Sequence, residues 1–395
     1  MGIGGTARRT LSVAARALDT GWRVIGLTLC AVLLLEGGLR VRYAWKHHKP
    51  GQELDPRAES DVYKGESWAY QYWDEFKRTE TVSWKSYVYY RRTPQAGAFI
   101  NIDDRGIRRT WAPAESHPRA LIWMFGGSTL WGTGARDDFT IPSELSREMH
   151  ARGMPVRVVN YGETGYVSTQ DLLTFELELR GQAPPDLAVF YGAYNDVFSA
   201  YQSRVAGIPQ NESHRIAEFQ LYDQLNWRRG FIEKTALFHL ARGIRDRLYS
   251  SPGSSQQWLP DSRVEPLAAD VVRDYCANMR AAQSVARAHG VSVLIVWQPD
   301  FSQKLVLSDW EKTLIVNRSL ATLTNRVLLG LRERQAALGP SGQCLDLSAI
   351  FHDEARTVFI DPVHISEEGD RTVAIAIASA VSEILRRCVG SEQGN

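Results

Sequence analysis

The chain has 395 residues, 44% of them hydrophobic, enough to bury one large core with room for insertions. Lys and Arg number 46 against 45 Asp and Glu, a formal charge of +1, so no global field draws in nucleic acid and a polyanion-binding role has little support. The four cysteines match no zinc-binding spacing, and neither a metal nor another cofactor is expected.

Residues 1–21 read as an N-terminal tail, followed by an apolar run from Val24 to Leu35 that extends to Leu39 if Glu36 and two glycines are tolerated. Trp22 and Tyr43 bracket the run. At 1.5 Å per residue a helix sets them about 32 Å apart, close to the hydrocarbon thickness of a bilayer, and rim aromatics suit a span. Glu36 and Arg40 share a helical face at i and i+4, where pairing reduces the penalty of charge near the membrane edge. No small-x-small cleavage site follows, and Leu29 before Cys30 does not suit a lipoprotein signal. Residues 22–43 are therefore expected to be an uncleaved transmembrane anchor. Basic residues balance on its two sides, Arg8, Arg9, Arg16 and Arg23 against Arg40, Arg42, Lys46 and Lys49, and charge does not orient it.

Residues 44–118 are polar and rich in aromatics, notably Trp68 to Trp73 and Ser86 to Tyr90. They read as a linker and an irregular layer packed on the main domain; an exposed aromatic platform for sugar rings is the alternative. From Arg119 onward short apolar runs alternate with helical stretches. Strands are predicted at Leu121–Phe125, Val156–Asn160, Leu187–Tyr191, Val291–Trp297 and Cys344–Leu347. Helices are predicted at Thr140–Arg152, Ser168–Arg180 with Ser168 as cap, Pro266–His289, within Asp309–Leu338, and Glu367–Arg387. Such alternation implies parallel βαβ units: an α/β fold, a three-layer α/β/α sandwich around a mainly parallel sheet, over residues 119–390. Insertions at about 197–265 and 301–340 interrupt it. The first, with Pro209, Pro252, Pro260 and the loop Ser250–Ser255, is either a lid or acceptor-binding element or a surface excursion. Cys276, Cys344 and Cys388 allow one disulfide, Cys344 with Cys388 among the open pairings, or are buried small side chains.

In a parallel sheet ligands collect at the carboxyl ends of the strands. Ser128 in Phe125-Gly126-Gly127-Ser128-Thr129 follows the first strand, Gly162 and Gly165 the second, and Asn195 the third, while Asp361 and His364 lie in the loop before the last helix. A serine hydroxyl is a poor nucleophile without a base, and the base needs an acid to hold its tautomer. His364 suits the base and Asp361 the acid. Gly165 can offer a close backbone N–H to an oxyanion, and Asn195 a side-chain amide. His352-Asp353 is a competing pair that precedes the expected loop; His150, His239 and His289 fall on predicted helices as surface or packing residues.

These four blocks resemble the SGNH hydrolases, the GDSL-like esterases, and within them a membrane-anchored bacterial branch whose first block reads Phe-Gly-Gly-Ser-Thr. Further similarity lies in Asp137–Pro142 and Asn101–Thr110, and the resemblance covers roughly residues 85–388. It implies Ser128 as nucleophile and first oxyanion donor, Gly165 and Asn195 as the other donors, and Asp361 and His364 as the dyad. One departure is Ala193 in Gly192-Ala193-Tyr194-Asn195-Asp196, where the family's third block carries glycine. The resemblance also implies an extracytoplasmic, periplasmic domain that hydrolyses small acyl esters of carbohydrate or exopolysaccharide, or transfers the acyl group as an O-acyltransferase, beside polysaccharide biosynthesis proteins. Two other functions remain: a lipid or lysophospholipid esterase, which predicts an apolar groove in the 197–265 insertion, and a non-catalytic polysaccharide-binding scaffold.

Overall fold

A computed structural model describes residues 4–47, 55–113, 117–224, 259–339 and 343–392, with side chains over 20–42, 55–113, 117–219, 259–339 and 343–387. Two units separate, one of Met1–Glu53 with Ile216–Ser254 and one of Leu54–Arg215 with Ser255–Asn395. In the first, an unbroken helix runs Gly4–His47. Its stretch Thr20–Arg42 is long and apolar enough to cross a membrane and carries its apolar side chains exposed. Arg40 Nε donates to Glu36 Oε1 at 2.9 Å, the pairing expected of that face.

The second unit is organised by five strands whose residues alternate between two cores. These are β3 (Ala120–Gly126), β4 (Val156–Asn160), β5 (Leu187–Gly192), β6 (Ser292–Trp297) and β7 (Cys344–Asp346), all parallel, in the order β4-β3-β5-β6-β7. Trp123, Phe125, Phe190, Ile295 and Trp297 face helices Ser168–Leu179, Tyr194–Ser203, Asp261–Ala288 and Arg318–Arg334. The intervening Ile122, Met124, Val189, Leu294 and Val296 face helices Ile141–Ala151 and Glu367–Glu392. A period of two with both faces buried is what a sandwiched parallel sheet demands. The chain order reverses between β3 and β5, and the crevice beyond their carboxyl ends is where such sheets bind ligands.

Several predicted elements shift. The helix expected from Pro266 begins at Asp261, because Val264, Leu267 and Val271 continue one buried stripe and Pro266 forfeits only one ladder bond within it. Ser168 does not cap its helix; Val167 holds that position, and Ser168 is bound to another element described below. Residues 55–113 are more ordered than an irregular layer. A helix spans Ala69–Thr79, and a hairpin pairs β1 (Val82–Lys85) with β2 (Tyr89–Arg92). Ala69, Tyr72, Trp73, Phe76 and Thr79 are buried at helical spacing, and the first four form, with Ile100, Ile102, Trp131 and Ile360, a third core. The aromatic run Trp68–Trp73 is thus mainly packing, although Tyr70, Trp84 and Tyr87 remain exposed. Cys276 and Cys344 are free buried thiols. The side chain of Cys388, His239, Pro252 and the loop Ser250–Ser255 lie outside the described residues.

Candidate active site

The end of β3 turns sharply at Gly126-Gly127, and Ser128 opens the short helix Ser128–Trp131. A larger residue at Gly127 would displace the Asn195 amide, since a Cβ there would lie 2.2 Å from Asn195 Nδ2. The third block is thereby pressed against the residue before the serine. From the far end of the domain, the loop before helix Glu367–Glu392 brings His364 Nε2 to 2.8 Å from Ser128 Oγ and His364 Nδ1 to 2.7 Å from Asp361 Oδ2. The other carboxylate oxygen accepts the N–H groups of Val363 at 2.9 Å and His364 at 2.8 Å, which fixes the loop in the orientation that keeps Oδ2 on the ring. Burial alone would push the Asp361 carboxyl up, but the charge and hydrogen bond of His364 and the two backbone donors outweigh it and hold the group well below the usual carboxylate range. A permanently ionised acid, a ring nitrogen and an alcohol in one path can pass a proton from the hydroxyl to the ring and back.

Asn195 starts the helix after β5. Its Nδ2 donates to Tyr166 O at 2.8 Å and lies beside Gly127, and the amide carries a second N–H. Asp196, next in sequence, accepts from Ser168 Oγ at 2.5 Å and from Ser168 N–H at 3.1 Å. Ser168 therefore ties the second block to the third instead of capping. Burial dominates at Asp196 and pushes its carboxyl up to about 6, against the pull of the Ser168 bonds. Gly165 sits at φ 76°, and an added Cβ would meet Tyr90 Oη at 3.1 Å and Gln210 Oε1 at 3.2 Å. Its loop is clamped by β2. Tyr90 Oη donates to Thr164 O at 2.8 Å, Arg92 N–H to Glu163 Oε2 at 3.0 Å, and the fully buried Arg92 and Glu163 side chains pair at 3.4 Å.

Ala193, the departure in the third block, holds φ 87° and ψ −35°, a conformation that favours glycine. The loop keeps the shape that a glycine would adopt, at the expense of local strain. Ala193→Gly is expected to stabilise the fold by about 1 kcal/mol, strain relief outweighing the added freedom of the unfolded chain; chemical denaturation reads the difference, and a lower midpoint would contradict it.

One residue of the site escaped sequence reasoning. Arg57, in the turn Pro56–Glu59, points its Nη1 at Asp361 Oδ2, 3.4 Å away. It is held by Asp55 through Nε at 2.9 Å and Nη2 at 2.7 Å, and its guanidinium lies 4.2 Å from the centre of the Trp73 ring. Burial works against the Arg57 charge, but Asp55 and then Asp361 reverse the balance and raise its affinity for the proton. Asp-Pro-Arg is readable as a turn, yet no spacing links it to a loop some 300 residues on. Its charge lies against the carboxylate that orients the His364 ring. Arg57→Gln should lower kcat for an aryl acetate several-fold with KM little changed, because Asp361 is then less firmly placed; an unchanged kcat would refute this role.

The competing pair is remote from this cluster. His352 Nδ1 contacts Gln303 O at 2.7 Å, its ring is half exposed, and Asp353 lies 3.9 Å away. His150 packs on Trp111, and His289 ends the helix Asp261–Ala288.

No family model matches the chain, and no curated protein matches it either. Solved structures do. An acetyl xylan esterase aligns at 15% identity, covering 66% of this chain and 99% of that one, with a TM-score of 0.36. A lipolytic protein of the G-D-S-L family from Veillonella parvula aligns at 14%, covering 68% and 98%, with a TM-score of 0.37. A GDSL-like lipase from Bacteroides thetaiotaomicron aligns at 12%, covering 67% and 88%, with a TM-score of 0.33.

Proposed function

We propose that this chain is a serine-dependent ester hydrolase of the SGNH, GDSL-like type, in which Ser128 forms an acyl-enzyme. His364 is the base and Asp361 the acid that orients it; the N–H groups of Ser128 and Gly165 and the amide of Asn195 stabilise the oxyanion. The observation that carries the reading is the unbroken path from Ser128 through His364 to Asp361, at 2.8 and 2.7 Å. A polysaccharide-binding scaffold would have no use for that alignment.

The family resemblance directs the activity to small acyl groups, acetyl above all, on carbohydrate or exopolysaccharide, with water or a sugar hydroxyl resolving the acyl-enzyme. It also sets the catalytic domain on the periplasmic side of a membrane held by residues 20–42, within reach of polysaccharide biosynthesis proteins. A lipid-ester reading gains from one observation, an apolar cavity beside His364. The full chain in detergent, given an aryl acetate with and without oligosaccharide acceptors, tests the reaction type. Release of acetate alone supports hydrolysis, acetyl on the sugar supports transfer, and no turnover of any ester rejects the proposal.

A further inference from the structure

A cavity of about 400 Å3 opens against the loop Asp361, Pro362, Val363 and His364. Tyr194, the neighbour of Asn195, forms another part of its wall, so the space runs out from between the base and the third block. Its volume lies in the range of small-molecule sites, about 300 to 1,000 Å3. Its remaining walls are chiefly apolar: Phe198, Phe301, Val316, Leu320 and Ala321. Tyr194 and Phe198 stack along one side, ring centres 6.4 Å apart and planes 14° from parallel.

Several polar atoms in these walls are already engaged. Asp300 accepts the Ser302 N–H at 2.8 Å and the Ser302 hydroxyl, Asn317 Oδ1 caps its helix through the Leu320 N–H at 3.1 Å, and Thr324 Oγ1 donates to Leu320 O at 2.9 Å. A sugar needs several convergent polar groups to replace its hydration, and beside the apolar majority of this wall few are left for that.

We infer that this cavity receives the alcohol half of the ester and that this half is apolar, an alkyl or aryl alcohol. The inference rests on the ester-cleaving reading of Ser128. As Ser128 Oγ bonds to the acyl carbon, His364 takes the hydroxyl proton; as the bond from that carbon to the alcohol oxygen breaks, His364 returns the proton to the departing oxygen. The alcohol must therefore lie within hydrogen-bond reach of Nε2, and the cavity walled by the same residue is where its remainder extends. This narrows the carbohydrate reading to acyl transfer, in which the apolar ester is the donor and a sugar enters only after this alcohol has left; it sets aside hydrolysis of esters whose alcohol half is a sugar.

The test is a series of acetate esters of methyl, butyl, hexyl and benzyl alcohol, with an acetylated xylo-oligosaccharide alongside, hydrolysed by the full chain. kcat/KM should rise about three- to fourfold per methylene until the cavity fills, and Leu320→Asn and Phe198→Ala should bring the hexyl-to-methyl ratio toward one. A flat series, or faster turnover of the acetylated sugar than of hexyl acetate, overturns the inference while leaving the ester-cleaving reading intact. If no ester is cleaved, binding of benzyl alcohol to Ser128→Ala still decides: saturable binding weakened about tenfold by adding Leu320→Asn supports the cavity, and no saturable binding removes it.

Discussion

Ser128→Ala is expected to lower kcat/KM for an aryl acetate by on the order of 10^4- to 10^6-fold and to leave the melting curve in place. The side chain lost is one hydroxyl at the first position of a short helix, where alanine is well tolerated, so the fold has little reason to respond. Without it the acyl group has no acceptor on the protein. What remains is direct attack by water aided by His364, with the oxyanion donors still in place. A loss smaller than about tenfold would mean that the reaction runs elsewhere.

Asp361→Asn should reduce kcat by about 10^4 while the loop keeps its shape. The two backbone N–H groups of Val363 and His364 bind one oxygen of the carboxylate, and an asparagine oxygen can take that place. The new NH2 then faces His364 Nδ1, where Oδ2 now accepts. Nδ1 is obliged to accept, the ring proton moves to Nε2, and the nitrogen that should take the Ser128 proton donates instead. Circular dichroism and thermal melts close to those of the parent would separate this tautomeric effect from unfolding; full activity would show that Asp361 does not orient the ring.

Much of this was legible because parallel strands buried on both faces write themselves as short apolar runs, and Val156–Asn160 is framed by turn residues that leave no doubt about its ends. Ser128, Asn195 and His364 were readable because each follows a strand or precedes the last helix in a fixed block. The helix Ala69–Thr79 was not, although its buried positions keep a helical period. Tyr72, Trp73 and Phe76 are weak helix formers, and only the third core they share with Trp131 makes the segment helical. Arg57 was hidden for a different reason: it reaches Asp361 through tertiary folding alone, its side chain aimed by Asp55 and by Trp73. Ser168 shows the limit of capping rules. Its hydroxyl suits a helix start, but the buried Asp196 carboxylate is the stronger partner and takes it.

Ser128 as a nucleophile activated by His364 is tested most directly by an alkyl fluorophosphonate with intact-mass detection. The expected result is a single adduct that maps to Ser128, is absent from Ser128→Ala, and forms about a thousandfold more slowly in His364→Ala. An adduct on another residue, or one that persists undiminished in Ser128→Ala, would contradict it.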